Sequence, residues 1–155
     1  LMALQKNVQI KNRKARFEYE ILEKFTAGIV LRGTEIKAIR EGKASIAESF
    51  CEFANGELFV INMTIQEYSH ATHYNHTPKS ERKLLLTRRE LKKLEKEVKN
   101  SGLTIIPLLL FTNEKGLAKL EIALCKGKKL YDKREVMKER DTKRDLSRIK
   151  KAFNN

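Results

Sequence analysis

The feature that most restricts this chain is a series of short segments with a two-residue period, each closed by a turn signal. In Leu117–Cys125, Leu120, Ile122 and Leu124 alternate with Lys119, Glu121 and Ala123, the repeat of a strand with one buried face. Asn113 to Gly116 joins it to Leu103–Phe111 as a hairpin. A second hairpin is predicted from Glu48–Phe53 and Glu57–Ile61, which flank Ala54-Asn55-Gly56, because Asn and Gly accept positive φ without strain. Phe17–Leu31 also alternates and is rich in β-branched and aromatic residues, which predicts a long or bent strand with Gly28 at a bulge. Pro107 lacks an N–H, so its strand should lie at an edge or bulge there. Five or six short antiparallel strands suit a small barrel better than a parallel α/β sheet, so the expected class is mainly β with added helices, α+β.

Two helices are predicted in this body. The first has Thr34 as N-cap, Ile36 and Ile39 on one face and Gly42 as its stop. The second opens on Thr87-Arg88-Arg89-Glu90, a capping box flanked by Leu86 and Leu91 as a hydrophobic staple. Leu91, Leu94 and Val98 form its apolar stripe, Lys92, Lys93, Lys96 and Lys99 face away, and Gly102 ends it.

Charge narrows the functional classes. Lysine and arginine total 33 against 20 acidic residues in 155, a formal net charge of +13. That excess calls for a polyanion, since phosphate contacts by Lys and Arg release condensed counterions. No apolar run approaches the roughly 20 residues of a spanning helix, and the longest, Ile105 to Phe111, contains Pro107. Leu1 to Gln9 has no apolar h-region, so no signal peptide is expected, and neither Cys51 nor Cys125 belongs to a closely spaced pair. A cytoplasmic protein with reduced, buried or half-buried thiols is expected.

Residues 126–155 hold 12 Lys and Arg against 5 Asp and Glu, with few apolar side chains. Such a segment cannot offset the entropy of its own ordering. Glu139 lies four residues before Lys143, and Leu146, Ile149 and Phe153 recur at helical spacing, so folding on a partner is expected. The resulting division is an N-terminal extension at 1–10, a barrel at 11–125 and a basic tail at 126–155.

Motifs for catalysis are absent: there is no G-x-S-x-G, P-loop or G-x-G-x-x-G, and no Cys lies near a His in sequence. His70, His73 and His76, spaced around Tyr68, Tyr74 and Asn75, lack the helical scaffold and nearby cysteine of a zinc site. A solvated loop and an RNA-stacking surface both remain open for them. The positive signal is basic: Lys11, Arg13, Lys14 and Arg16 precede Phe17 and Tyr19, and Arg82, Lys83, Arg88 and Arg89 surround the second helix start. Each cluster alone could simply solubilise; two of them with a basic tail favour RNA. Glu35, beside Lys37 and Arg40, reads as a partner to its own cations ahead of a base reader.

Asn12-Arg13-Lys14-Ala15-Arg16-Phe17-Glu18-Tyr19, Ala27-Gly28-Ile29-Val30-Leu31, Gly33-Thr34-Glu35-Ile36-Lys37 and Gly42-Lys43-Ala44 resemble successive blocks of the SmpB family. So do Pro78, Arg82-Lys83-Leu84-Leu85-Leu86, Arg89-Glu90-Leu91 and Lys126 to Arg134, from about residue 11 to the end. Phe17, Thr26 and Thr87 depart from the common pattern. The resemblance implies an oligonucleotide-binding (OB) type barrel that grips the tRNA-like domain of tmRNA, and a tail that enters the vacant mRNA channel of a stalled bacterial ribosome. By the same analogy Gly28, Glu35, Arg82, Lys83 and Leu85 contact or shape the tmRNA surface, joined by Arg13, Lys14, Arg16, Phe17, Tyr19, Lys37 and Thr87. Gly127, Lys128, Lys129, Tyr131, Asp132, Lys133 and Arg134 would sit near the decoding centre, with Tyr131 either stacking on a base or packing the tail root. No metal, cofactor or catalysis is implied, and a monomer is expected. A different ribosome-associated OB protein and an RNA-processing enzyme are the competing readings.

Overall fold

The computed structural model describes residues 7–71 and 74–127. It begins with β1 (Gln9–Lys11), α1 (Arg13–Glu18), the long strand β2 (Tyr19–Ile29) and α2 (Gly33–Arg40). Then come β3 (Ala44–Ser45), β4 (Phe50–Ala54), β5 (Glu57–Ile61), β6 (Thr64–Ile65) and β7 (Arg82–Leu85). Helix α3 (Arg88–Ser101) leads to the final pair, β8 (Thr104–Thr112) and β9 (Ala118–Gly127). All pairings are antiparallel, in the order β8-β4-β5-β7-β2-β9, and β9 returns to β8 so that the ring closes. β1 adds to the outside of β8, and β3 pairs with β6 as a separate ribbon. This is the mainly β, OB-like architecture with helices that the alternating segments predict; closure leaves few unpaired strand edges.

The alternation sorts side chains between two apolar clusters. Leu120, Ile122 and Leu124 of β9 join Leu58, Val60, Leu84, Leu94 and Leu110 in the main core. On the other face of the same strand Ala123 and Cys125 pack with Ile106, Leu108 and Ala15, under α1. Asn55 and Gly56 take positive φ (53° and 79°) in a tight β4–β5 turn. The register of β8 shifts between Pro107 and Leu109, as a residue without an N–H requires. Helix α3 starts as its sequence predicts: the Thr87 hydroxyl accepts from Glu90 N–H (3.2 Å) and Glu90 Oε1 accepts from Thr87 N–H (3.0 Å), while Gly102 caps the other end in the left-handed region.

Four local expectations need correction. Phe17 lies in α1 instead of a strand, because Asn12 caps that helix: Oδ1 accepts from Ala15 N–H (3.3 Å) and Nδ2 donates to Pro107 O (2.9 Å) and Ile46 O (3.2 Å). The irregularity in β2 falls between Ile21 and Glu23, whereas Gly28 is in register with both Leu85 and Lys119. The α2 N-cap is Arg32, whose N–H is accepted by Glu35 Oε1 (2.7 Å); the Thr34 hydroxyl is engaged by His76 instead. The ends of the barrel also reach further than 11–125: Gln9 and Ile10 pair with Phe111 and Leu110, and Lys126 and Gly127 pair with Glu20 and Tyr19.

Candidate nucleic-acid interface

At one end of β2, Gly28 sits between two strands, and a Cβ there would lie 3.4 Å from Leu85 Cβ. Beside it is an open depression of about 380 Å³, whose wall includes Leu31, Ile36, Leu85, Leu117 and Arg40. Leu85 and Leu117 are half or more exposed, an unusual concentration of apolar surface on so charged a molecule. Arg40 Nη2 donates to Gly116 O (2.9 Å), fixing the β8–β9 turn against α2. Lys83 is paired with Glu57 (2.6 Å) near the surface.

Glu35 and Arg82 are both 3% exposed, so neither can touch a ligand; they shape the surface from beneath. Arg82 Nε donates to Glu35 Oε2 (2.6 Å), Nη1 to Met63 O (2.7 Å) and Nη2 to Pro78 O (3.0 Å) and Thr77 O (3.2 Å). The carboxylate thus holds Arg32 N–H and Arg82 at once, tying the start of α2 to β7 and the chain around Pro78. The reading of Glu35 as partner to Lys37 and Arg40 gives way to this pairing across 47 residues, which local spacing cannot reveal. Thr87 spends its hydroxyl and its N–H on Glu90, so its part here is to fix the α3 start.

His76, unnoticed as a structural residue from sequence, is also 3% exposed. Its Nε2 faces the carbonyls of Ile65 and Gln66 (both 2.9 Å) and so carries a hydrogen; in the neutral ring Nδ1 then accepts from Thr34 Oγ1 (2.8 Å). It is a buried clamp, neither a solvated nor a stacking side chain. No group of three or more His, Cys, Asp or Glu suited to a metal exists among the described residues, and His73 lies outside them.

The other end of β2 carries α1. At ~3.3 Å per residue, the eleven-residue strand sets the two ends roughly 30 Å apart. Arg13, Lys14, Arg16 and Phe17 are exposed there, Phe17 at 66%, and Lys14 meets Glu48 at 3.2 Å. Tyr19 opposes Gly127, the last described residue, so β9 ends here. Burial, then nearby Cys125 and Glu18, raise the Tyr19 phenol pKa above its ordinary value. Beneath α1, burial pushes the Cys125 thiol up to about 12, and burial aided by Cys125 raises that of Cys51. Both cysteines are free and buried, as expected. Of the expected tail only Lys126 and Gly127 are described, as the end of β9; Lys128, Lys129, Tyr131, Asp132, Lys133 and Arg134, with all that follows, lie outside the described residues. The sequence-predicted RNA residues therefore form two separate groups, with Lys37 and Lys83 on the Gly28 side.

Comparison with known proteins bears on both groups. The family model described as SmpB protein matches residues 9–152. The chain is 71% identical to an SsrA-binding protein of Christiangramia forsetii over 97% of this chain and 96% of that one. It is 70% identical to the SsrA-binding protein of Flavobacterium psychrophilum, covering 96% and 99%, and 52% identical to that of Rhizobium johnstonii, covering 94% and 96%. A solved chain from "tmRNA-SmpB: a journey to the center of the bacterial ribosome" is 43% identical, with a TM-score of 0.68, covering 90% of this chain and 95% of that one.

Proposed function

The chain belongs to the SmpB family, and from that premise we propose that it is a tmRNA-binding adaptor of trans-translation that acts on stalled ribosomes. The observation that carries this reading is the family match from residue 9 to 152, which spans the OB-like body and the cationic segment together. The relatives are named for binding SsrA RNA, and the solved neighbour is a tmRNA–SmpB assembly on the bacterial ribosome. We assign no catalysis and no cofactor to it, and place it in the cytoplasm.

The geometry supports a division of work between the ends of β2. Gly28, Leu85, Lys37 and Lys83 form the tmRNA-facing surface, with Glu35 and Arg82 holding its shape and Thr87 orienting α3. A bulky residue at 28 would displace Leu85 from the depression. Arg13, Lys14, Arg16, Phe17 and Tyr19 lie at the root of the tail, so we assign their charge and ring surface to the ribosomal side, together with Gly127 to Arg134. A tail rich in Lys and Arg orders only against a polyanion, and an mRNA already in the channel would repel it by bulk and competition for the same lining.

Pull-down of the tagged full-length chain from a bacterial lysate, followed by sequencing of the bound RNA, tests the reading. tmRNA is expected as the most enriched species, released steeply as salt rises. Enrichment of another RNA instead, or a salt-insensitive complex, would overturn it.

A further inference from the structure

The segment from Gln66 to Thr77 poses a problem of purpose. Among the described residues, none from 66 to 83 belongs to either apolar cluster, so the loop adds nothing to the hydrophobic core. Yet three buried polar side chains are committed to its position. His76 binds the carbonyls of Ile65 and Gln66 and the hydroxyl of Thr34; Arg82, held by Glu35, binds the carbonyls of Thr77 and Pro78. The loop is also closed on itself: Tyr68 N–H donates to Asn75 Oδ1 (3.1 Å) and Asn75 Nδ2 donates to Tyr68 O (2.9 Å). Buried ionic bonds of this kind are weak sources of stability compared with well-packed apolar groups. Their product here is placement.

What is placed is a set of rings beside a cation. Tyr68 is half-buried, with His70 packed edge-on at 5.4 Å between centroids and Lys37 Nζ 5.6 Å above its ring. Tyr74, just before the Asn75 clamp, is 87% exposed, the highest exposure among the large apolar side chains of the described residues. Lys37 belongs to α2, whose Ile36 and Arg40 line the depression beside Gly28. Lys37 thus links the aromatic group to the helix that borders that depression.

We propose that Tyr68 and Tyr74, held by the Asn75 and His76 clamps and flanked by Lys37, form a stacking platform for unpaired bases in the tRNA-like domain of tmRNA. The Tyr68 ring, packed before binding against His70 and Lys37, stacks on a splayed base with little ordering cost, and the adjacent ammonium can meet the phosphate of the same nucleotide. This inference rests on the tmRNA reading above and adds to it a recognition element on a loop that the strand and helix patterns leave unassigned.

The chain contains no tryptophan, so Tyr74→Trp and Tyr68→Trp each introduce a single fluorophore that keeps a stacking ring. Titration of each variant with a transcript of the tRNA-like domain should quench its emission in parallel with binding followed by gel shift. Tyr74→Ala should weaken that binding about tenfold, in line with the loss of one stacked base, whereas Tyr74→Phe should bind like the parent. Circular dichroism of Tyr74→Ala should match the parent, since the ring makes no core contact. Gel-shift binding with no quenching and no loss in Tyr74→Ala would overturn the platform and leave the tmRNA reading intact. Quenching by purified ribosomes but not by the transcript would equally overturn it, placing the rings on ribosomal RNA. Failure of the parent to bind the transcript would overturn both.

Discussion

At the Gly28 end of β2 the surface exposes apolar side chains over charges tied down beneath it: Arg82 and Glu35 are buried together, and Arg40 holds the Gly116 carbonyl. At the Tyr19 end the cations Arg13, Lys14 and Arg16 are exposed, Lys14 beside Glu48, on a short helix fastened by the Asn12 cap and by buried Ala15. Under the proposed function the contrast corresponds to two modes of binding RNA. A surface whose polar groups are satisfied internally recognises by fit, whereas a field of exposed cations contributes affinity through counterion release and little selectivity. The first is suited to one structured RNA, the second to the phosphate-lined interior of a large particle.

The strongest way to break this contrast is Arg82→Ala. It leaves Glu35 buried without its partner and frees the loop at Thr77 and Pro78, so denaturant unfolding should show a loss of about 3–5 kcal/mol. A loss below about 1 kcal/mol would mean that the Gly28 end is not held from beneath. The Tyr19 end has its own stability signature in Cys125. Its thiol pKa, raised in the folded chain to about 12, lies above the unfolded value of about 8.5. Stability from keeping it neutral is therefore complete below the unfolded value and drains away as pH climbs towards the folded one. Between pH 9 and 11 that loss approaches about 1.4 kcal/mol per pH unit, and Cys125→Ala should flatten the profile relative to the parent.

Smaller effects sharpen the comparison. Thr87→Ala removes a cap and should cost about 1 kcal/mol in thermal or chemical unfolding. Leu85→Ala and Lys14→Ala should each change stability by less than about 0.5 kcal/mol, since one side chain is half exposed and the other ends in an exposed ion pair. They should part company in RNA binding: Leu85→Ala weakens the complex with the tRNA-like domain, and Lys14→Ala leaves it within experimental error. Lys83→Ala should lower the salt slope of that complex by about one, and Lys14→Ala should not.

The sequence disclosed those parts of the molecule that local chemistry decides. Asn55-Gly56 had to turn, Thr87 and Glu90 had to cap, and the alternation through Leu120, Ile122 and Leu124 had to face a core. What it concealed depends on distant partners. Helix α1 is six residues long and owes its start to Asn12 reaching Pro107 and Ile46, so no periodicity announces it. Arg82 and Glu35 each read as surface charges in their own neighbourhoods, and only the ring brings them together. His76 read as one of three loop histidines because its acceptors, Ile65, Gln66 and Thr34, come from two other segments. The separation of the basic residues into two ends was likewise hidden, since Arg16 and Gly28 are near neighbours in sequence but lie towards opposite ends of an extended strand.

The most direct test is truncation after Gly127, which keeps every residue of β9 while removing the cationic segment. The shortened chain should bind the tRNA-like domain of tmRNA within about twofold of the full chain, a difference below ~0.5 kcal/mol, and should fail to support tagging on stalled ribosomes. Loss of RNA binding together with tagging, or tagging that survives the cut, would contradict the division between the two ends.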